Sequence, residues 1–342
     1  MSLSSDFLKE TKRNECKGRC LHYESGGHCD EIISAHSIQK SNQLGVIAEG
    51  GHVYCFNSDL SSMRKHNGKP VPKKIGVNRA STFSGFCKKH DNSLFKLIDD
   101  NPLRPSKEQV ALYAYRCICR EFFVKQNAQS TINSLADYPS LTKAQRNILQ
   151  SAFAGHTLGF ERLNFHKKIY DRALSESRYD EFEYMAFESK SPWNLQLSGV
   201  FFPDFDFQGD KLQNLGDLRS PLGIVSFFTA PTLRGWSFNI CWHQSSNEPC
   251  FNLLESLRSS VSAGKKLQDA LFRLSMSCCE NHAFRISWWD SLAELAKSEI
   301  ISRVRLLIDL EAAIPDNYLE RGLEGIVDWE FEYVYTSLEE ST

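Results

Sequence analysis

The sequence predicts an α+β protein: a small N-terminal zinc-stapled unit, then two long helices, then an antiparallel-sheet domain. Three observations carry this expectation. The first 98 residues hold 5 of the 11 cysteines and 6 of the 10 histidines. Apolar residues recur at helical spacing between about residues 105 and 175, and beyond Glu181 the period changes to two. With 342 residues the chain can form two or three domains, and 41% apolar residues can fill their cores, which excludes disorder over most of its length. No run approaches the roughly 18–20 apolar residues of a membrane-spanning helix. Met1–Glu10 lacks a signal-peptide core, so the expectation is a cytoplasmic protein with no membrane partner.

The first unit, residues 14–98, contains strand candidates at Glu31–Ser34 and His52–Phe56, the second entered through the Gly50-Gly51 turn. A basic loop, Asn67–Gly76, and a helix from about Phe86 complete it. Asn101-Pro102 and Pro105 mark its end. Ser106-x-x-Gln109 then reads as a capping box leading into Val110, Tyr113, Ala114, Cys117 and Phe122. Thr142-x-x-Gln145 opens a second helix with Ile148, Ala152 and Phe153 on one face, ending near Leu174, so that residues 105–175 form a helical scaffold.

The third unit, residues 180–342, alternates. Phe182/Tyr184/Ala186, Leu195/Leu197, Leu222–Thr229 and Trp236/Phe238/Ile240/Trp242 read as strands, the last two joined by Ala230–Gly235. Ser287-Trp288-Trp289-Asp290 opens one helix through Leu292, Leu295, Ile300, Val304 and Leu307, with the tryptophans as its apolar anchor. Trp329/Phe331/Tyr333/Tyr335 alternates with acids as a late strand. Asp204, Asp206 and Asp210 read as a turn at a strand edge, and no phosphate-cradling loop or nucleophile elbow accompanies Cys279, Glu280 and His282.

Charge is divided along the chain. Residues 1–98 carry 15 Lys/Arg against 9 Asp/Glu, whereas Asp309–Thr342 holds ten acids against Arg321 alone. From Arg64 to His90 there are eight basic residues and no acid. Lys69, Lys73, Lys74, Arg79, Lys88 and Lys89 are therefore the candidates for tracking nucleic-acid phosphates. The acidic, aromatic-rich end is the candidate surface for a protein partner.

Without a secretory signal, clustered Cys and His point to metal rather than disulfides. Cys87-x2-His90 can aim two ligands from a helix N-terminus at one ion, with a preceding loop supplying the other pair and closing a tetrahedral structural zinc site. For that pair, Cys16-x3-Cys20 and Cys20-x8-Cys29 are both possible, with His22 and His28 as further candidates. The β-branched run that follows Cys29 and ends at His36 favours Cys20 and Cys29. Cys117, Cys119, Cys241, Cys278 and Cys279 read as buried thiols.

In this stretch, Cys29-Asp-Glu-Ile-Ile-Ser-Ala-His36 together with Cys87-x2-His90-Asp91, the chain resembles the HNH endonucleases. These form the zinc-stapled, treble-clef branch of the ββα-metal fold, and the resemblance covers about residues 16–96. It implies His36 as general base, Asp91 as ligand of a catalytic Mg²⁺ or Mn²⁺, and phosphodiester hydrolysis on DNA in preference to RNA. It also implies a C-terminal sensing or partner-binding module, and a bacterial defence setting and a homodimer both suit the architecture. Ala35 stands where the family has a metal-binding Asp, and Ser81/Thr82 stand near its Asn. These departures favour a second reading, in which the chain is a non-catalytic zinc-containing adaptor for nucleic acid or protein.

Overall fold

The computed structural model describes residues 3–26, 29–57, 65–136, 138, 141–308 and 314–338. Its elements in chain order are α1 (Leu3–Glu15), β1 (Ile32–His36), β2 (His52–Asn57), β3 (Val71–Gly76), β4 (Thr82–Cys87) and α2 (Lys88–Asp99). The long helices α3 (Lys107–Ala136) and α4 (Lys143–Ser175) follow. Then come β5 (Phe182–Ser189), β6 (Leu195–Phe201), β7 (Val225–Pro231), β8 (Trp236–His243), α5 (Asn247–Ser262) and α6 (Leu267–Cys278). The chain closes with β9 (His282–Phe284), α7 (Ile286–Ser291), α8 (Glu294–Ile308) and β10 (Phe331–Thr336).

Helix α3 is the axis of the molecule. Gln109–Cys119 is buried at every position, so this stretch has no solvent face. Tyr113 stacks on Phe228 of β7, with ring centroids 4.7 Å apart, on the sheet side. On the other side the Arg116 guanidinium lies 4.0 Å over the Phe95 ring of α2 and binds both carboxylate oxygens of Asp99 at 2.8 Å. A buried arginine needs such a bidentate partner, because stranding its charge would cost several kcal/mol, of order 3–5. Helix α4 starts at the expected capping box: Gln145 N–H donates to Thr142 Oγ1 (3.2 Å), and Thr142 N–H to Gln145 Oε1 (2.9 Å). The box before α3 is half made, since Gln109 Oε1 accepts from Arg104 N instead of from Ser106.

The eight-stranded antiparallel sheet runs β10-β5-β8-β7-β6-β9-β2-β3. Every residue of β8 is buried. Trp236, Phe238, Ile240 and Trp242 face the core made with α5, α6 and α8, and Cys241 faces the core made with α3. Helices thus cover both faces, which explains the apolar density of β7 and β8. Strands β1 and β4 pair separately, Ile32 opposite Cys87 and His36 opposite Thr82, and α2 packs on them. The chain between them leaves this small unit: β2 and β3 form the far edge of the large sheet, attached where Tyr54 pairs with Phe284 of β9. The first 98 residues therefore contribute to two sheets.

Three expectations need correction. The segment read as the loop Asn67–Gly76 is strand from Val71, because Pro72 and two lysines are tolerated on an edge strand. The helix expected from about Phe86 starts at Lys88, since Cys87 is its N-cap. The single helix expected from Ser287 is two, α7 and α8, separated by an extended Leu292. Its tryptophans do anchor: Trp289 packs on Phe56 and Phe284, and Trp288 on Phe272. Asp206 caps a turn through Gln208 N and Asp210 N, as its pattern suggested.

His166 on α4 is 1% exposed, and its Nε2–H donates to Leu222 O (2.6 Å). Burial lowers its pKa to about 4. A histidine whose folded pKa lies below its unfolded value stabilises above the unfolded value, and that stability is lost as pH falls toward the folded one. Between pH 6.5 and 4 the loss should approach about 3 kcal/mol. Urea unfolding across this window should therefore show a shallower pH slope for His166→Gln than for the wild type. An equal slope contradicts the assignment.

Candidate metal centre

The site is assembled at one end of the β1–β4 pair. Cys87 ends β4 and caps α2, its sulfur accepting from His90 N (3.4 Å), so cap and third helical residue face the same point. The segment carrying Cys20 is pinned along β4 by Arg19 N–H to Ser84 O (3.0 Å) and Leu21 N–H to Gly85 O (2.8 Å). Residue 85 is glycine because a Cβ there would lie 2.3 Å from the ring of Phe83, two residues earlier on the same strand. Cys29 closes the loop, its N–H on Gly26 O (3.2 Å).

His90 Nδ1 lies 3.3 Å from Cys20 Sγ, 3.5 Å from Cys29 Sγ and 3.3 Å from Cys87 Sγ. All four ligand atoms lie within 4.8 Å of one another. A tetrahedral zinc with Zn–S of about 2.3 Å and Zn–N of about 2.0–2.1 Å sets N and S roughly 3.5 Å apart. The Cys3His group could therefore hold a structural zinc. Four protein ligands fill the shell, which suits a staple and leaves no position for substrate. Burial pushes the Cys20 thiol up to about 11, while a backbone hydrogen bond with Gly26 draws half-buried Cys29 down. Zinc takes both as thiolates, so binding releases protons.

A second group, His22, Glu24 and His90, adjoins the first. The His22 ring stacks on His90 at 4.1 Å and 8°, and its Nδ1 accepts from Glu24 N (3.0 Å). A Glu24 carboxylate oxygen lies within 4.8 Å of a His90 ring nitrogen, the kind of neighbour that can orient a histidine ligand. Burial lowers the His22 pKa to about 4, so this ring stays neutral. Cys16 is exposed and outside both groups, which resolves the sequence alternatives in favour of Cys20 and Cys29. His28 and Arg64 lie outside the described residues.

His36 and Asp91 are placed apart. His36 sits at the end of the strand pair remote from the sulfurs, opposite Thr82. Helix α2 starts at the sulfur end and runs back, so the residue it delivers near His36 is Asp99, whose carbonyl accepts from Gln39 Nε2 at 2.6 Å. Asp91 lies two helical turns earlier, about 12 Å along the axis. The carboxylate acting on His36 is accordingly that of Asp99. Asp91 is drawn up by burial, and its Oδ1 has no hydrogen-bond partner among the described residues. Ala35 is 3% exposed and belongs to the apolar cluster of Phe83, Phe86 and Phe95, where a metal-binding acid would be buried unpaired. Among the described residues neither His36 nor Asp91 belongs to a group of three or more potential metal ligands.

The orientation of His36 is set by one backbone contact. Its Nε2 lies 2.9 Å from Val77 O; a carbonyl only accepts, so Nε2 carries the hydrogen and Nδ1 keeps a lone pair. Burial lowers its pKa, which favours the neutral ring. The six basic candidates, Lys69, Lys73, Lys74, Arg79, Lys88 and Lys89, are all exposed. Lys69 precedes β3, Lys73 and Lys74 lie on the β3 edge, Arg79 in the turn before β4, and Lys88 and Lys89 in the first turn of α2. Among the described residues only Lys88 has an ion-pair partner, Glu31 at 3.5 Å. Sequence reasoning missed Arg116, whose charge reaches both His36 and Asp91. Its place inside an apolar helical run is the signal that would have found it.

No protein-family model, curated protein or solved structure matches the chain. Among the described residues no helix is long and apolar enough to cross a membrane.

Native purified protein should contain one zinc per chain, measurable by plasma emission. Cys87→Ser should abolish the zinc and lower the melting temperature by at least 10 °C, whereas Cys16→Ser should change neither. Metal-free wild-type protein, or zinc lost equally in Cys16→Ser, contradicts the ligand assignment.

Proposed function

We propose that the chain is a nucleic-acid-binding protein in which structural zinc holds a basic head in shape, with DNA preferred to RNA. The observation that carries this reading is the set of exposed, largely unpaired cations of the first 98 residues, Lys88 and Lys89 beside the Cys3His group, Arg79 in the turn before β4, and Lys69, Lys73 and Lys74 at the β3 edge of the large sheet. Exposed cations without carboxylate partners release counterions when they meet phosphates, and each such contact steepens the salt dependence of binding by about 0.9 in log–log slope on duplex DNA. The C-terminal sheet and its acidic end act on this reading as a platform for a protein partner.

A second reading, phosphodiester hydrolysis by the same head, is favoured by one specific observation. His36 presents a neutral Nδ1 with the tautomer fixed by Val77, as a general base requires. The carboxylate that acts on His36 is that of Asp99, and Asp91 lies two turns earlier on α2. Holding a divalent ion there requires Asp91 to supply its unpartnered oxygen while the substrate phosphate supplies most of the remaining shell.

Fluorescence anisotropy with a labelled duplex should show affinity falling steeply with salt. Changing Lys69, Lys73 and Lys74 together to Ala should reduce the slope by up to about 2.7. Binding insensitive to ionic strength contradicts the surface. For the second reading, duplex DNA incubated with Mg²⁺ or Mn²⁺ should be cut by the wild type and left intact by His36→Ala, with affinity unchanged. No cutting by the wild type with either ion leaves the binding reading alone.

A further inference from the structure

The two edges of the large sheet differ. The β3 edge carries Pro72, which has no N–H to donate, and the adjacent Lys73 and Lys74, all devices that discourage a further strand. The β10 edge, Phe331-Glu332-Tyr333-Val334-Tyr335-Thr336, has neither proline nor lysine. Among the described residues β10 pairs only with β5. Tyr333 is 39% exposed and Val334 54%.

The backbone direction at this edge is fixed. Ser337 N–H donates to Tyr184 O (3.2 Å), and pairing continues without interruption from Thr336 opposite Met185 to Tyr333 opposite Glu188. Alternate residues of an antiparallel strand bond to the same neighbour. Tyr333 and Tyr335 therefore turn their N–H and C=O groups to β5, and those of Val334 and Thr336 point outward.

We propose that β10 pairs with β10 of a second copy of this chain, antiparallel and two-fold symmetric about Val334. The strand is self-complementary in that register. Val334 meets Val334 of the second copy as a pair exchanging both backbone hydrogen bonds. Tyr333 meets Tyr335, extending the row these two rings already form at 6.5 Å. Glu332 meets Thr336, so no acid faces an acid. Centring the axis on Glu332 instead would oppose two carboxylates. Lys190 and Arg234 lie 5.6 and 4.4 Å from the Tyr333 ring and hold it on that face, ready for its counterpart. The product is one continuous sheet across two chains, with the basic β3 edges at its far ends, on the order of 70 Å apart along the hydrogen-bond direction before twist.

Sedimentation velocity and oxidative cross-linking test the pairing. The wild type should sediment as a dimer, and Val334→Pro as a monomer with its melting temperature nearly unchanged, since the lost N–H points away from β5. Opposed residues of such a pair have Cα atoms about 5.5 Å apart, within disulfide range. Val334→Cys should then give a covalent dimer under mild oxidation, and Glu332→Cys should not, with exposed Cys16 present in both as the shared background. A monomer at every concentration overturns the proposal. So does a dimer that survives Val334→Pro, or equal cross-linking of the two cysteine variants. Should Val334→Pro fail to fold, the cysteine pair decides alone.

Discussion

Everything in this fold is referred to a helix with no solvent face. Between Gln109 and Cys119, α3 is enclosed by the sheet on one side and by α2 with the β1–β4 pair on the other. A helix buried all round satisfies its own backbone but offers each neighbour only side chains, so every element around it must be held from outside. The sheet holds itself by hydrogen bonds across eight strands. The small unit cannot, since two short strands and a 12-residue helix enclose too little apolar volume. A zinc held by the Cys3His group would close it, and the Arg116–Asp99 pair docks it on α3.

This explains why polar groups lie so deep in the interface. Lys167 of α4 donates to Leu21 O (2.7 Å) and to Asp171, and Tyr115 donates to the same carbonyl at 3.1 Å. Leu21 is next to Cys20, so a metal ligand is tied to two long helices through one carbonyl. Ser37, Ser198 and Asn281 form a similar network between the end of β1 and the sheet. The head is thus coupled to the sheet both through α3 and through β2–β3.

Local pattern made much of this legible. Period-two alternation located β5 and β8, the Thr142 capping box located α4, and the Cys and His spacing located the four ligand residues once Cys29 was chosen over Cys16. What remained hidden depends on distant partners. Val71–Gly76 reads as loop because proline and lysine are poor central-strand residues, and only its position at an edge permits it. The break at Leu292 has no glycine or proline to announce it. The spacing of His36 and Asp91 carries no direction; the strand pairing and the course of α2 separate them, and Asp99 arrives beside His36 instead.

The Cys3His group, if loaded, offers a closed four-ligand shell. X-ray absorption at the zinc edge of the purified protein tests that most directly. The account predicts three sulfur ligands at about 2.3 Å and one nitrogen at about 2.0–2.1 Å. A shell dominated by oxygen and nitrogen, or zinc bound with fewer than three sulfurs, would contradict it.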